Sequence, residues 1–294
     1  MGTKVPGSDD GYLPAVRGLG HLSGSKFSPL STSSCNADRM HLWGFTLRPV
    51  GEGDQSVMAP ESEQLRLEQV AADSWYAKSA NAATIRYSAK IFSRHWRGTR
   101  CLELGPAEGL MTPVLAASFP ELTIVEGSNQ FCESLRTRFP SANIVQSLFE
   151  HFRPVSKFDT IILGHVLEHV DSAPLLLQLV RNWLNPHGVI CSAVPNARSL
   201  HRQAAVLMGF LPTEHSLSEA DLHHGHRRVY DPESYRAAFR AAGLKIHAFG
   251  GYWLKPLSNA QIEQAWTPEM LDAFMELGER YPDIAGEIYV IAGA

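Results

Sequence analysis

A doubly wound α/β sheet of seven strands with an N-terminal helical extension is the fold this sequence predicts. Three observations carry that expectation. From residue 98 onward, short apolar runs of strand length alternate with helical patterns, the sign of a sheet wound by crossover helices. The first run, Cys101-Leu-Glu-Leu104, breaks into the tight, side-chain-poor loop Gly105-Pro-Ala-Glu-Gly109 and resumes as a helix, which leaves backbone N–H groups free for an anionic ligand group. The second run, Leu122-Thr-Ile-Val125, ends on Glu126, an acid placed to accept both hydroxyls of a ribose.

Residues 1–60 are rich in Gly, Ser, Pro and Asp without a sustained period and read as a tail, with local packing expected only of the cluster from Leu42 to Leu47. Residues 61–97 turn helical, through Leu65, Leu67, Val70, Ala71 and Trp75 and then Ile85, Tyr87, Ala89, Ile91 and Phe92, as two helices broken near Ser79–Asn81. Strands follow at 100–104, 122–126, 142–146, 158–163 and 188–194, with helices at 110–118, 129–139 and 172–184 between them. Asn185-Pro-His-Gly188 is expected as the turn that closes the last of these helices. An irregular, His-rich stretch at 195–230 precedes a helix at 231–242, N-capped by Asp231 with Pro232 at its first position and ended by Gly243. A strand at 244–250, one helix at 259–278 and a strand at 286–292 complete the pattern.

The 294 residues carry 44% hydrophobic and 19% charged residues, which suits a sizeable core. A net charge of −4 gives no general drive toward nucleic acid or an anionic membrane. The four cysteines, Cys35, Cys101, Cys132 and Cys191, form no Cys-x-x-Cys pair, and Cys101 and Cys191, inside apolar strand-like runs, read as buried thiols in a reducing compartment. No stretch is long and apolar enough to span a bilayer, and Lys4 is followed by no apolar run, so a signal peptide is not expected. Pro6 stands where a myristoylation motif needs Ser or Thr. The expectation is a cytoplasmic protein.

The loop itself selects the cofactor class. A dinucleotide fingerprint needs Gly at its first, third and sixth positions; here these are Gly105, Ala107 and Leu110, and Leu110 would crowd a pyrophosphate. A phosphate loop needs Gly-Lys-Ser/Thr, which does not follow Gly109. What stands, Glu103-x-Gly105-x-Ala107-x-Gly109, resembles the first motif of class I S-adenosylmethionine-dependent methyltransferases of the small-molecule, natural-product type. The resemblance continues at Glu126, through Phe158 to Val170, and at Leu184 to Ile190, four ordered motifs over roughly 100 residues. Ala107 departs from it, since many members carry Gly there.

The resemblance implies a Rossmann-like methyltransferase fold over 98–294, with the helices at 61–97 covering the cofactor and an acceptor-side insertion at 195–230. It implies S-adenosyl-L-methionine as cofactor. Glu103 would order the loop, Gly105, Ala107 and Gly109 would let it approach the methionine moiety, and Glu126 would accept the ribose hydroxyls. Gly127 and Ser128 would lie beside the adenine, Ser147 and Leu148 at its edge and face, Gly164 and His165 at the methionine end, and Tyr76 over the cofactor.

The acceptor side is expected around two groups of histidines. His165 and His169 flank the carboxyl edge of the fourth strand and share one face if that segment is helical. His223, His224 and His226, with His215 before them, lie in the connection after the fifth strand, and His226 and His165 are the candidate general bases. Three histidines in four residues prompt a metal reading, but no Cys-rich partner or His-Glu-x-x-His helix accompanies them, so no metal is assigned. Arg227 and Arg228 are candidates to bind a carboxylate or phosphate, with solvated loop cations as the default.

Leu163-Gly-His-Val166 stands where enzymes acting on base or glutamine nitrogens carry Asp/Asn-Pro-Pro-Tyr, no catalytic Pro-Cys pair is present, and no basic stripe with interleaved aromatics appears. The expected acceptor is therefore a small molecule, methylated on a hydroxyl or carboxyl oxygen rather than an amine. The alternatives are an N-methyltransferase, or a methyltransferase-like subunit that binds cofactor or a partner without catalysis. A sugar-nucleotide oxidoreductase is disfavoured, because the third glycine and a Tyr-x-x-x-Lys pair are lacking. A homodimer is compatible with this reading, whereas nucleic-acid and membrane partners are not expected.

Overall fold

In the computed structural model, which describes residues 60–72 and 79–294, seven strands build one sheet. They are β1 (Arg100–Leu104), β2 (Glu121–Glu126), β3 (Asn143–Gln146), β4 (Phe158–Gly164), β5 (Leu184–Pro195), β6 (Lys245–Tyr252) and β7 (Glu287–Gly293). Their order is β3-β2-β1-β4-β5-β7-β6. β1 to β5 pair in parallel, and β7 runs antiparallel between β5 and β6. The order reverses between β1 and β4, the switch point beside which doubly wound sheets bind ligands at the strands' carboxyl ends.

Ten α-helices accompany the sheet among the described residues: α1 (Pro60–Ala72), α2 (Ser79–Ser93), α3 (Thr112–Ser118), α4 (Asn129–Arg138), α5 (Ala173–Trp183), α6 (Leu200–Leu207), α7 (Glu219–His223), α8 (Pro232–Ala241), α9 (Asn259–Ala265) and α10 (Pro268–Gly278). The strands are apolar on both faces because both are covered. Alternate residues of one strand enter different cores. Leu102, Ile161 and Leu163 pack with Leu176, Tyr235 and Phe239 of α5 and α8. Cys101, Ile162 and Cys191 pack with Phe92, Leu115 and Leu135 of α2, α3 and α4. Cys101, Cys132 and Cys191 are buried free thiols; Cys35 and the cluster from Leu42 to Leu47 lie outside the described residues.

The seven expected strands are all present, with ends shifted by a few residues. Four local expectations are corrected. Asn185–Gly188 is no separate turn but part of β5, where the β4 pairing shifts register and His187 takes φ +67°. The single helix expected at 259–278 is two, because Pro268 has no N–H to continue α9 and Thr267 caps α10 instead, accepting from the Met270 N–H at 3.3 Å. The stretch 195–230 contains α6 and the short, box-capped α7. Residues 165–170 form turns rather than a helix, with the His169 N–H donating to the Val166 carbonyl, so His165 and His169 do not share a helix face.

Candidate functional site

A cavity of about 470 Å³ opens at the carboxyl ends of β1, β2 and β4, within the size range of small-molecule sites. Its floor is the β1–α3 loop. Gly105 (φ +59°) and Gly109 (φ +69°) take left-handed conformations, and so does Ala107 (φ +50°). A residue with a Cβ pays for that conformation, which accounts for the glycine common at this position. Gly105 and Ala107 line the cavity, as does Leu110. Gly109 does not. A Cβ there would come within 2.6 Å of Leu135, so this glycine lets the loop seat on α4.

Two buried acids face this loop. Glu126, at the end of β2, accepts from the Ser128 N–H at 2.9 Å through Oε1 and from the Ala107 N–H at 3.2 Å through Oε2. Burial raises its pKa, and those backbone N–H groups oppose the rise. Glu103, in β1, accepts from the Thr112 hydroxyl at 2.7 Å. Burial pushes Glu103 up to about 7, against the Thr112 hydrogen bond and with the Glu126 charge adding to the rise. Both acids line the cavity.

Gly127, Ser147 and Leu148 line the cavity beside Glu126. Ser147 is held by its N–H on the Glu126 carbonyl at 3.0 Å and by its hydroxyl on the Leu148 carbonyl at 2.8 Å. Ser128 does not line it: it is the N-cap of α4, buried under Glu68, whose Oε2 accepts from the Ser128 hydroxyl at 2.8 Å. α1 closes this side through Glu63, Arg66, Leu67 and Val70; the sequence marked Leu67 and Val70 only as part of a helical pattern and did not mark Glu63 or Arg66. Gln64 donates to the Gly127 carbonyl at 2.7 Å, and Glu68 accepts from the Asn129 N–H at 2.6 Å. Leu67 lies so close over Gly127 that a Cβ on the glycine would be 2.4 Å from it. The i, i+3 spacing of Leu67 and Val70 marks a helix face in the sequence, but not what the face covers. Tyr76 lies outside the described residues.

The far wall comes from the end of β4. Gly164, His165 and His169 line the cavity. His165 has φ +59°, the left-handed region that costs a residue with a Cβ, and its N–H donates to the Ala193 carbonyl at 2.9 Å. Its Nε2 lies 3.3 Å from the Tyr252 hydroxyl, and its Nδ1 lies 3.5 Å from Glu168 and 3.8 Å from Glu287. Burial lowers the His165 pKa, but Glu168 and Glu287 together raise it above the ordinary value.

His226 does not reach the cavity. Its Nδ1 lies 3.2 Å from Asp221 Oδ1, and its ring packs edge-on against His169 with centroids 4.8 Å apart. His224 and Arg227 do line the cavity. Arg227 is engaged with Glu63 at 2.7 Å, with Asp171, and with the His169 carbonyl at 2.7 Å, so it ties α1 to the turn after β4. Arg228 donates to the Asp171 carbonyl at 2.8 Å, and His215 pairs with Asp231 at 2.9 Å outside the cavity.

The arrangement presents two carboxylates at one end and imidazoles at the other, inside an enclosure lined largely by apolar side chains. The loop N–H groups of Gly105, Ala107 and Gly109 are not left free as the sequence suggests: they donate to the Val125 carbonyl, to Glu126 and to the Pro106 carbonyl. A sequence model of a family described as a methyltransferase domain matches residues 75–248, more than half of the chain. No curated protein matches at the level of sequence. Among solved structures the chain is similar to an S-adenosylmethionine-dependent methyltransferase from Mesorhizobium loti, with TM-score 0.53 and 15% identity over 73% of this chain and 99% of that one. It is also similar to the CcbJ methyltransferase from Streptomyces caelestis, with TM-score 0.51 and 14% identity over 78% and 97%. The N-methyltransferase NodS from Bradyrhizobium japonicum gives TM-score 0.51 and 12% identity over 78% and 96%.

Proposed function

The chain belongs to the methyltransferase-domain family, and on that premise we propose that it moves a methyl group from S-adenosylmethionine to an oxygen of a small-molecule acceptor. The observation that carries this reading is the pair of buried carboxylates, Glu103 and Glu126, converging on the glycine-rich loop from adjacent strands. Their chemistry fits that cofactor. Glu126 keeps its carboxylate in place by two backbone N–H groups while lining the cavity, a preset acceptor for ribose hydroxyls. Glu103 is buried with Glu126 as its charged neighbour and is pushed up to about 7, so a cationic amine brought beside it is stabilised by its charge.

The bound sulfonium supplies an activated methyl, and the protein supplies alignment and exclusion of water. The C–S bond breaks as the C–O bond forms, and the hydroxyl proton leaves to a base. Of the two histidines expected from sequence in that role, His165 lines the cavity and His226 does not, so proton removal is assigned to His165. His165→Ala is expected to lower kcat about 10²- to 10⁴-fold, with cofactor binding retained and part of the rate restored by added imidazole.

Calorimetric titration with S-adenosylmethionine tests the main reading, and absence of binding overturns it. Glu126→Ala is expected to weaken binding by about 1–3 kcal/mol, the cost of leaving ribose hydroxyls unpaired. Unchanged affinity would remove that role from Glu126.

A further inference from the structure

Behind the cavity wall, Glu168, His169 and His226 bring a carboxylate oxygen and two imidazole nitrogens within 4.8 Å of one another. Glu168 and His169 come from the turn after β4, and His226 comes from the connection before α8. Such convergence is invisible in a sequence without a Cys-rich or His-Glu-x-x-His pattern.

Three features set this group apart from an ordinary buried polar cluster. First, each imidazole is oriented by its other nitrogen: His169 Nδ1 lies 3.3 Å from the Gly225 carbonyl oxygen, and His226 Nδ1 lies 3.2 Å from Asp221 Oδ1. A carbonyl only accepts, and so does an ionised carboxylate, so Nδ1 carries the proton in both rings and Nε2 the lone pair. Metal-bound histidines are held by this kind of partner. Second, Glu168 is fully buried and, among the described residues, neither of its oxygens accepts a hydrogen bond; imidazole nitrogens of His165 and His169 lie 3.5 and 4.0 Å from Oε1. Burying an ionised carboxylate is costly, and a cation coordinated there would add to the offset that the His165 imidazole supplies. Third, Asp221 is itself fixed, by Arg202 at 2.9 Å and by the N–H and hydroxyl of Ser218 at 2.8 and 2.7 Å.

We propose that Glu168, His169 and His226 bind a divalent transition-metal ion, with the two Nε2 atoms and a Glu168 oxygen as ligands. Two imidazoles and one carboxylate form a donor set of catalytic zinc and non-haem iron(II) sites that keep open coordination positions. A tetrahedral ion at about 2.1 Å from each donor needs the donors about 3.4 Å apart, so the side chains draw in by up to about 1.5 Å on loading. Of the three residues His169 lines the cavity, which sets the site beside the space proposed for an acceptor. There the ion acts as a Lewis acid on an acceptor hydroxyl, lowering its pKa before His165 takes the proton. That consequence rests on the proposed methyl transfer; the binding of the ion does not.

The test is calorimetric titration of tag-free, chelator-treated protein with Zn²⁺, with the visible absorption of Co²⁺ as a second probe of tetrahedral nitrogen–oxygen coordination. One equivalent per chain is expected. Glu168→Gln, which keeps size and shape, and His226→Asn should each weaken binding by about 100-fold or more, and Asp221→Asn by about 10- to 100-fold. His215→Ala should change nothing. Thermal melts of each metal-free variant identify any that fails to fold, and His169→Asn then takes its place. Absence of Zn²⁺ and Co²⁺ binding overturns the proposal, as does binding that survives both Glu168→Gln and His226→Asn. S-adenosylmethionine binding measured on the same samples separates the two readings: metal without cofactor sinks methyl transfer alone, and cofactor without metal sinks this site alone.

Discussion

Glu103 shows how one residue sets stability against function. Its pKa is raised from an ordinary 4.5 to about 7 by burial. Folding therefore favours its protonated form: that contribution is fully present below the unfolded pKa and is lost as pH rises through 7. A shift of this size corresponds to about 3 kcal/mol, so Glu103→Gln should become progressively more stable than wild type between pH 4.5 and 8 in denaturant titrations. The same variant should bind S-adenosylmethionine more weakly, and wild-type affinity should fall as pH drops below 7 while that of the variant stays flat. His165 stores energy differently. At φ +59° a glycine is relaxed and an alanine is not, so His165→Gly should exceed His165→Ala in stability by about 1 kcal/mol. Equal stabilities would mean that the turn relaxes when the imidazole is gone. Both acids and His165, which line the cavity, stood out in the sequence because each sits where a strand ends. Glu168 was not: inside Leu167-Glu168-His169 nothing in the sequence distinguishes a buried carboxylate from a solvated one.

At the scale of elements, α1 joins the site by polar anchors at both ends of its inner face. Glu68 accepts from the Ser128 hydroxyl and the Asn129 N–H at the N-terminus of α4, and Glu63 takes Arg227 from the acceptor side. The α4 N-terminus favours the Glu68 charge as well as accepting its hydrogen bonds. Glu68→Ala should speed hydrogen exchange across α1 while leaving the β1–β4–β5 amides unchanged, because it loosens one helix without touching the sheet. Uniform protection would show that Leu67 and Val70 hold the helix alone. The helical period of 61–97 was readable from apolar spacing, but the partner of each face was not. The split of α9 from α10 was missed because the apolar pattern by itself suggests one helix, although Pro268 is the signal against it.

For the whole molecule, one enclosure is lined by the β1–α3 loop, the turn after β4, α1 and the connection before α8. A ligand confined there should stabilise all of them together. S-adenosylhomocysteine at 100 times its Kd is expected to add about 2.7 kcal/mol to the unfolding free energy. Exchange protection should rise in the loop and α1, with little change at the β6 edge, which lies at the opposite end of the sheet from β3. Protection confined to the loop would mean that α1 does not close on the ligand.

The seven strands, the doubly wound class and the glycine-rich loop with its two acids could be read along the chain. These are local features: a strand's period, a turn's need for positive φ and an acid at a strand end are each written within a few residues. It took the folded chain to show that Gly109 and Ser128 support the cavity from behind, which residues of α1 close it, that His165 faces it while His226 does not, and that Glu168, His169 and His226 meet. Those facts depend on which distant segments the sheet brings together, and a contact between Glu63 and Arg227 or between His169 and His226 leaves no periodicity in either segment.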